Sequence, residues 1–224
     1  MEQKKIAGYK AAEYIEDGMT LGLGTGSTAF YLVERVGQLV KQGMKLEAVA
    51  TSAATEKQAR ELNIPLRSID EVDHIDLAID GVDEIDGAFN AIKGGGGALF
   101  REKIVATLAD RVIWIMDESK LVDSIGNFHL PVEILPYGHT QVLRTMEELG
   151  LKPVLRMRDG KVFVTDNGNY IADLHLGAPM DISGVKEKLA SIVGVLETGL
   201  FLNMCERIVV GTDNGARVIE NQNK

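Results

Sequence analysis

Four short segments of this sequence combine glycine with groups that move protons or hold anions. They are Gly24-Thr25-Gly26-Ser27-Thr28, Asp80-Gly81-Val82-Asp83, Lys93 with Gly94 to Gly97, and Asp117-Glu118-Ser119-Lys120. In the first, glycines let backbone approach a ligand closely, and a following helix offers amides and a positive dipole end to an anion. Ser27 and Thr28 add hydroxyl donors, and either is placed to cap that helix. The same residues also suit a plain tight turn. A dinucleotide fingerprint is incomplete: Gly22, Gly24 and Gly26 are present, but Ser27 holds the third glycine position. The acidic residue expected at the end of the second strand is replaced by Ala50-Thr51, and no segment has the Gly-Lys-Ser/Thr ending of a P-loop.

Asp80 and Asp83 stand three apart in a loop after an apolar run, where two carboxylates can share protons, hold a metal or simply shape a turn. A calcium loop needs acids at alternate positions, which Asp80, Asp83, Glu84 and Asp86 do not supply. His74, His129, His139 and His175 are scattered without metal-ligand spacing, so no required metal is expected.

Lys93 precedes four consecutive glycines. Such a run gives up much chain entropy on folding, which a loop aiming its amides at a ligand oxygen justifies better than a structural turn does. Glu102 follows in a helix whose apolar stripe reads as Phe100, Ile104 and Leu108; Glu102 falls off that stripe, between Ala98 and Ala106. On a helix a glutamate is usually a solvated residue, and only the adjacent glycine loop marks this one out. Lys120, at a strand end, is a candidate phosphate partner.

These segments need a scaffold. Helical patterns at 4–16, 28–41, 54–62 and 97–109 alternate with apolar strands at 19–24, 46–51, 75–80 and 111–117, with short strands near 65–69 and 89–93. That alternation implies a Rossmann-like, mostly parallel sheet covered by helices on both faces. In such sheets ligands bind at the carboxyl ends of the strands, so the four segments are expected to converge on one crevice. From 127 the order changes to strand 130–135, helix 139–149, strands 152–158, 161–165 and 170–174, helix 181–190 and strand 195–201. This β-α-β-β-α-β order reads as an inserted ferredoxin-like α+β domain. Two strands around Asp213-Asn214-Gly215 then return to the first sheet. The expected division is 1–126 with 203–224 for the catalytic domain and 127–202 for the insertion, which is expected to serve subunit contact and not chemistry.

A hydrophobic fraction of 45% with 25% charged residues suits a full globular core. A net charge of -9 argues against a nucleic-acid surface. The one cysteine, Cys205, cannot form an internal disulfide, which points to a reducing compartment. No apolar run suits a signal peptide or a membrane span, so a cytoplasmic location is expected.

Taken together, KKIAGYKAAEY, GLGTGSTA, DGVDEID, IKGGGGALFREKI, DESK, PVEILP and VTDNGN closely resemble the ribose-5-phosphate isomerases of the A type over essentially the whole chain. The resemblance implies reversible conversion of D-ribose 5-phosphate to D-ribulose 5-phosphate, in the pentose phosphate pathway, without metal or nucleotide. It implies Glu102 as the proton-transferring base, with Asp80, Asp83 and Lys93 around the sugar oxygens. It further implies substrate binding by Thr25, Gly26, Ser27, Thr28, Gly81, Gly94, Gly95, Gly96 and Lys120, with Lys4 near the phosphate, in a homo-oligomer (dimer or tetramer). The chemistry suits the residues: an isomerase needs a base at the carbon beside a carbonyl and donors at its oxygen. A nicotinamide-dependent oxidoreductase and a sugar-phosphate sensor without catalytic activity are the rival readings. The incomplete fingerprint weighs against the first, and the lack of a basic recognition helix against the second.

Overall fold

The computed structural model describes residues 1–224. In chain order its helices are α1 (Glu2–Ala11), α2 (Ala29–Lys41), α3 (Ala53–Glu61), α4 (Leu99–Leu108), α5 (His139–Glu148) and α6 (Ile182–Ala190). Its strands are β1 (Thr20–Leu23), β2 (Glu47–Ala50), β3 (Ile75–Gly81), β4 (Glu84–Ile85), β5 (Asn90–Ile92), β6 (Ala109–Asp117), β7 (Leu130–Ile134) and β8 (Pro153–Leu155). They continue with β9 (Met157–Arg158), β10 (Lys161–Val162), β11 (Tyr170–Leu174), β12 (Val195–Thr198), β13 (Leu200–Leu202), β14 (Arg207–Thr212) and β15 (Gly215–Glu220). The first helix is shorter than its sequence pattern, giving way to a 3-10 turn over Ala12–Tyr14. The strand expected near 65–69 is reduced to one bridge between Ala48 and Leu66.

Two units make up the chain: Met1–Val82 with Arg101–Leu121 and Asn203–Lys224, and Asp83–Phe100 with Val122–Leu202. The expected boundary at 126 is therefore corrected. Residues 83–100 belong with the second unit because β5 pairs antiparallel with β13 and β4, forming a three-stranded sheet of its own.

The first unit is built on one sheet in the order β15-β14-β6-β3-β1-β2, parallel except for the closing hairpin. Strand alternation assigns its two faces. Leu21, Leu23, Leu77, Ile79, Ile113 and Ile115 join residues of α1 and α2 in one buried core. Gly22, Ala78, Asp80 and Trp114 take the opposite parity. There a Cβ on Gly22 would lie 2.5 Å from Cγ1 of Val105, so the missing side chain is what admits α4. On the first face, a Cβ on Gly8 would meet the backbone N of Leu32 at 2.8 Å, which fixes α1 closely on α2.

In the second unit a four-stranded antiparallel sheet has the order β12-β7-β11-β8. Leu130, Val132, Ile134, Ala172 and Leu174 pack with Val142, Met146, Val185 and Leu189 of α5 and α6. The other side of the same strands carries Glu133, Ile171 and Asp173, all buried.

Candidate active site

In the first unit the loop after β1 is held from three directions. Asp80, at the end of β3 and 3% exposed, accepts the amide of Thr25 at 2.9 Å and that of Gly81 at 2.7 Å on Oδ1. A Cβ on Gly24 would stand 2.0 Å from that same oxygen, so only glycine lets the carboxylate reach the loop. Thr25 Oγ1 donates to Ser52 Oγ (2.8 Å) and lies 2.7 Å from Thr51 Oγ1, while Thr55 Oγ1 donates to the Gly24 carbonyl (2.8 Å). The hydroxyl of Thr25, expected among the substrate-binding groups, is thus turned into a largely buried hydroxyl cluster and serves to hold the loop. Thr51, Ser52 and Thr55 were not singled out in the sequence, because hydroxyls at a strand end and a helix N-cap carry no pattern of their own.

The loop leaves Gly26 and Ser27 exposed at its tip, Gly26 with a φ of +106° that favours glycine. Thr28 stands at the N-cap of α2 but makes no side-chain capping bond, and Ser27 does not cap either. Instead Ser27 Oγ accepts from Lys4 Nζ at 2.9 Å. Lys4 also lies 3.9 Å from Asp117 Oδ2. Burial pushes the Asp117 carboxyl up, but hydrogen bonds from Ser119 and the charges of Lys120 and Lys4 outweigh it, leaving Asp117 below the ordinary carboxylate range. Lys4, Ser27, Asp117 and Lys120 therefore gather where β1 and β6 end, as a parallel sheet requires.

Glu102 lies on α4 and is 4% exposed. The expected stripe is corrected here: Ile104 is 44% exposed, while Ala98, Leu99, Glu102, Val105 and Ala106 are buried. Val105 meets Gly22, and Glu102 stands one turn nearer the helix N-terminus, on the helix that covers the Asp80 face of the sheet. A fully buried carboxylate is rare without a function or a partner.

The second unit contributes the other expected groups. Lys93 follows β5 of the three-stranded sheet, so the glycine segment does not extend from the parallel sheet as expected. Lys93 is 1% exposed, its amide donates to the Gly199 carbonyl (2.9 Å), and Nζ lies 5.3 Å from the centroid of the Phe201 ring. Gly94 to Gly97 form a turn closed by the Gly97 amide on the Gly94 carbonyl (3.0 Å), with Gly96 exposed. Asp83, half-buried, accepts the Gly95 amide on Oδ2 at 2.7 Å.

Arg156, passed over in the sequence, reaches this turn from the segment after β8: Nη1 donates to the carbonyls of Gly94 (2.9 Å) and Gly95 (3.1 Å). Its Nε donates to Asp173 Oδ2 at 2.8 Å. The segment assigned only to subunit contact thus holds the glycine turn. His129 lies 3.3 Å from Asp173, and burial, aided by Arg156 and His175, keeps its imidazole below the usual pKa against the opposing pull of Asp173 and Asp83.

His74, read with the other histidines as scattered, meets Asp76 and Asp110, and the ligating atoms of the three lie within 4.8 Å of one another. They sit where β3 and β6 begin, at the sheet edge opposite Asp80 and Asp117. Cys205 is buried, which pushes its thiol up to about 12.

The family described as Ribose 5-phosphate isomerase A (phosphoriboisomerase A) matches residues 47–215. A Ribose-5-phosphate isomerase A of Streptococcus pneumoniae (strain Hungary19A-6) is 52% identical over 217 residues, covering 96% of each chain. Ribose 5-phosphate isomerase from Plasmodium falciparum superposes with a TM-score of 0.93 at 39% identity, over 99% of this chain and all of that one. A D-ribose-5-phosphate isomerase in complex with phospho-erythronic acid gives 0.92 at 38% identity, over 98% of both chains. With a family match across most of its length and relatives spanning nearly all of it, the chain belongs to the ribose 5-phosphate isomerase A family.

Proposed function

We propose that this protein interconverts D-ribose 5-phosphate and D-ribulose 5-phosphate, as an aldose-ketose isomerase of the pentose phosphate pathway. The observation that carries the reading is the burial of Glu102 and Lys93, one carboxylate and one ammonium removed from water, in a chain of this family. Glu102 removes the proton from C2 of the open-chain aldose and returns it to C1. The C2 hydroxyl proton passes to the C1 oxygen, so the two sugars have the same atoms and no external redox partner is consumed. The intermediate enediolate places negative charge on oxygen, which Lys93 and the amide of Gly96 neutralise.

Of the two aspartates, Asp83 is the more accessible and suits proton transfer among the hydroxyl oxygens and ring opening. Asp80 and Gly81 hold the loop that binds the phosphate through Gly26, Ser27, Thr28, the start of α2, Lys4 and Lys120. We assign the protein to the cytoplasm as a homo-oligomer (dimer or tetramer), acting without metal or nucleotide. Its acidic charge, its one buried cysteine and the absence of a helix long and apolar enough to cross a membrane support the location. Incubation with ribose 5-phosphate and direct detection of the ketose tests the activity. Ketose formed in the presence of a chelator is the expected result, and none formed under any condition refutes it.

A further inference from the structure

Arg156 uses its whole fork within the second unit. Nε and Nη2 face the Asp173 carboxylate, and Nη1 is shared by two successive carbonyls of the glycine turn. A trans peptide directs its N–H opposite to its C=O. With the Gly94 carbonyl on Arg156, the Gly95 N–H must point away from it, and it meets Asp83 Oδ2 at 2.7 Å. With the Gly95 carbonyl also on Arg156, the Gly96 N–H is directed to that same side, at the one residue of the turn that is exposed. Two successive amides of the glycine turn thus face one way, the first taken by the Asp83 carboxylate and the second carried by exposed Gly96. The guanidinium charge on the carbonyl side polarises both peptides and strengthens both N–H groups as donors.

Packing supports the same geometry. A Cβ on Gly97 would stand 2.4 Å from Cζ of Phe163, and the Phe163 amide bonds to the Arg156 carbonyl at 2.9 Å. The strand pair β9–β10 and its flanks thus grip the turn twice, by charge at its carbonyls and by ring contact at its last glycine. If the arginine were needed only for stability, an apolar pair of similar volume would serve as well or better than a buried ion pair. Joining a carboxylate to two carbonyls takes donors on both sides of a rigid plane, which arginine has and lysine lacks.

We infer that Arg156 is a positioning residue of the isomerase, fixing the Gly95 amide on Asp83 and orienting and polarising the Gly96 amide toward the oxygen that becomes negative in the enediolate. The inference rests on the function proposed above. Because the Gly96 amide matters most when charge develops, Arg156→Lys and Arg156→Met should lower kcat roughly 10–100-fold, with KM for ribose 5-phosphate changed less than about threefold. Phospho-erythronic acid carries a carboxylate where the enediolate is charged, so its affinity should fall by a similar factor, while that of inorganic phosphate should not. Thermal melting reports folding, and the lysine variant decides the matter if the methionine variant fails to fold. A wild type that forms no ketose overturns the proposed function and this inference with it. A wild type that turns over, beside a folded Arg156→Lys with kcat within about twofold or with losses confined to KM, overturns the inference alone.

Discussion

Oδ1 of Asp80 accepts the backbone amide of Thr25 at 2.9 Å across the missing side chain of Gly24. Asp83 repeats the device three residues later, taking the amide of Gly95, where a Cβ would meet its Oδ1 at 2.5 Å. Each aspartate of the DGVD motif therefore holds one glycine loop, and the glycines are fixed by the need to let a carboxylate approach backbone.

Gly24→Ala should therefore damage the site without touching a reactive group. Its methyl must displace Asp80, an overpacking cost of about 1–3 kcal/mol. The expected outcome is a lower melting temperature together with weaker binding of inorganic phosphate. An alanine variant that melts and binds as wild type does would show that the loop can move away from Asp80.

Glu102→Gln keeps shape and removes the proposed base. Turnover should fall about 10²–10⁴-fold while the fold and substrate affinity persist. Single-turnover assays with ribose 5-phosphate deuterated at C2 give the check. Near-normal turnover would transfer the base to Asp83 or Asp80.

Lys120→Ala should raise KM for ribose 5-phosphate by roughly 10–100-fold, the worth of a charged hydrogen bond, and scarcely change the poor activity on free ribose. Equal losses with both sugars would place Lys120 at the reacting end or in support of the fold.

His129 supplies a pH dependence. Its imidazole is held below the usual pKa of about 6.5, so the unfolded chain takes up its proton first as pH falls. The contribution is constant above the unfolded value and is lost as pH drops toward the folded one. Between pH 7.5 and pH 5 the urea midpoint of the wild type should therefore fall more than that of His129→Gln. A difference between the two proteins that does not vary with pH would rule out this origin.

Much of the scaffold was legible because strand and helix periods are local: every helix and nearly every strand lies within a few residues of its pattern. The helix face of α4 was not. Phe100, Ile104 and Leu108 are the larger apolar groups, but the sheet accepts the helix at Gly22, where Val105 and the alanines fit and Ile104 does not. Glu102 was thus marked out by the adjacent glycine loop and the family resemblance and not by its burial, its most telling property. Arg156 was illegible for a different reason: its partners are two main-chain carbonyls and a carboxylate far along the chain, and such pairings leave no mark at any fixed spacing. The strand near 65–69 failed because only Leu66 meets its neighbour.

The seat of Lys4 has a consequence for how the molecule is made. A Cβ on Gly211 of β14 would lie 1.7 Å from the carbonyl oxygen of Gln3, and Gln3 Nε2 donates to Asp213 at 2.7 Å. The first turn of α1 is thus laid directly on one of the last strands, and β14 itself joins the sheet beside β6 across roughly a hundred residues of intervening chain. During synthesis Lys4 emerges early, and α1 gains β14 as a support only after the closing hairpin has left the ribosome. A nascent chain halted before β14 keeps the packing of α1 on α2 but lacks this second support for the turn that carries Lys4, so affinity for inorganic phosphate should rise again once β14 has been added.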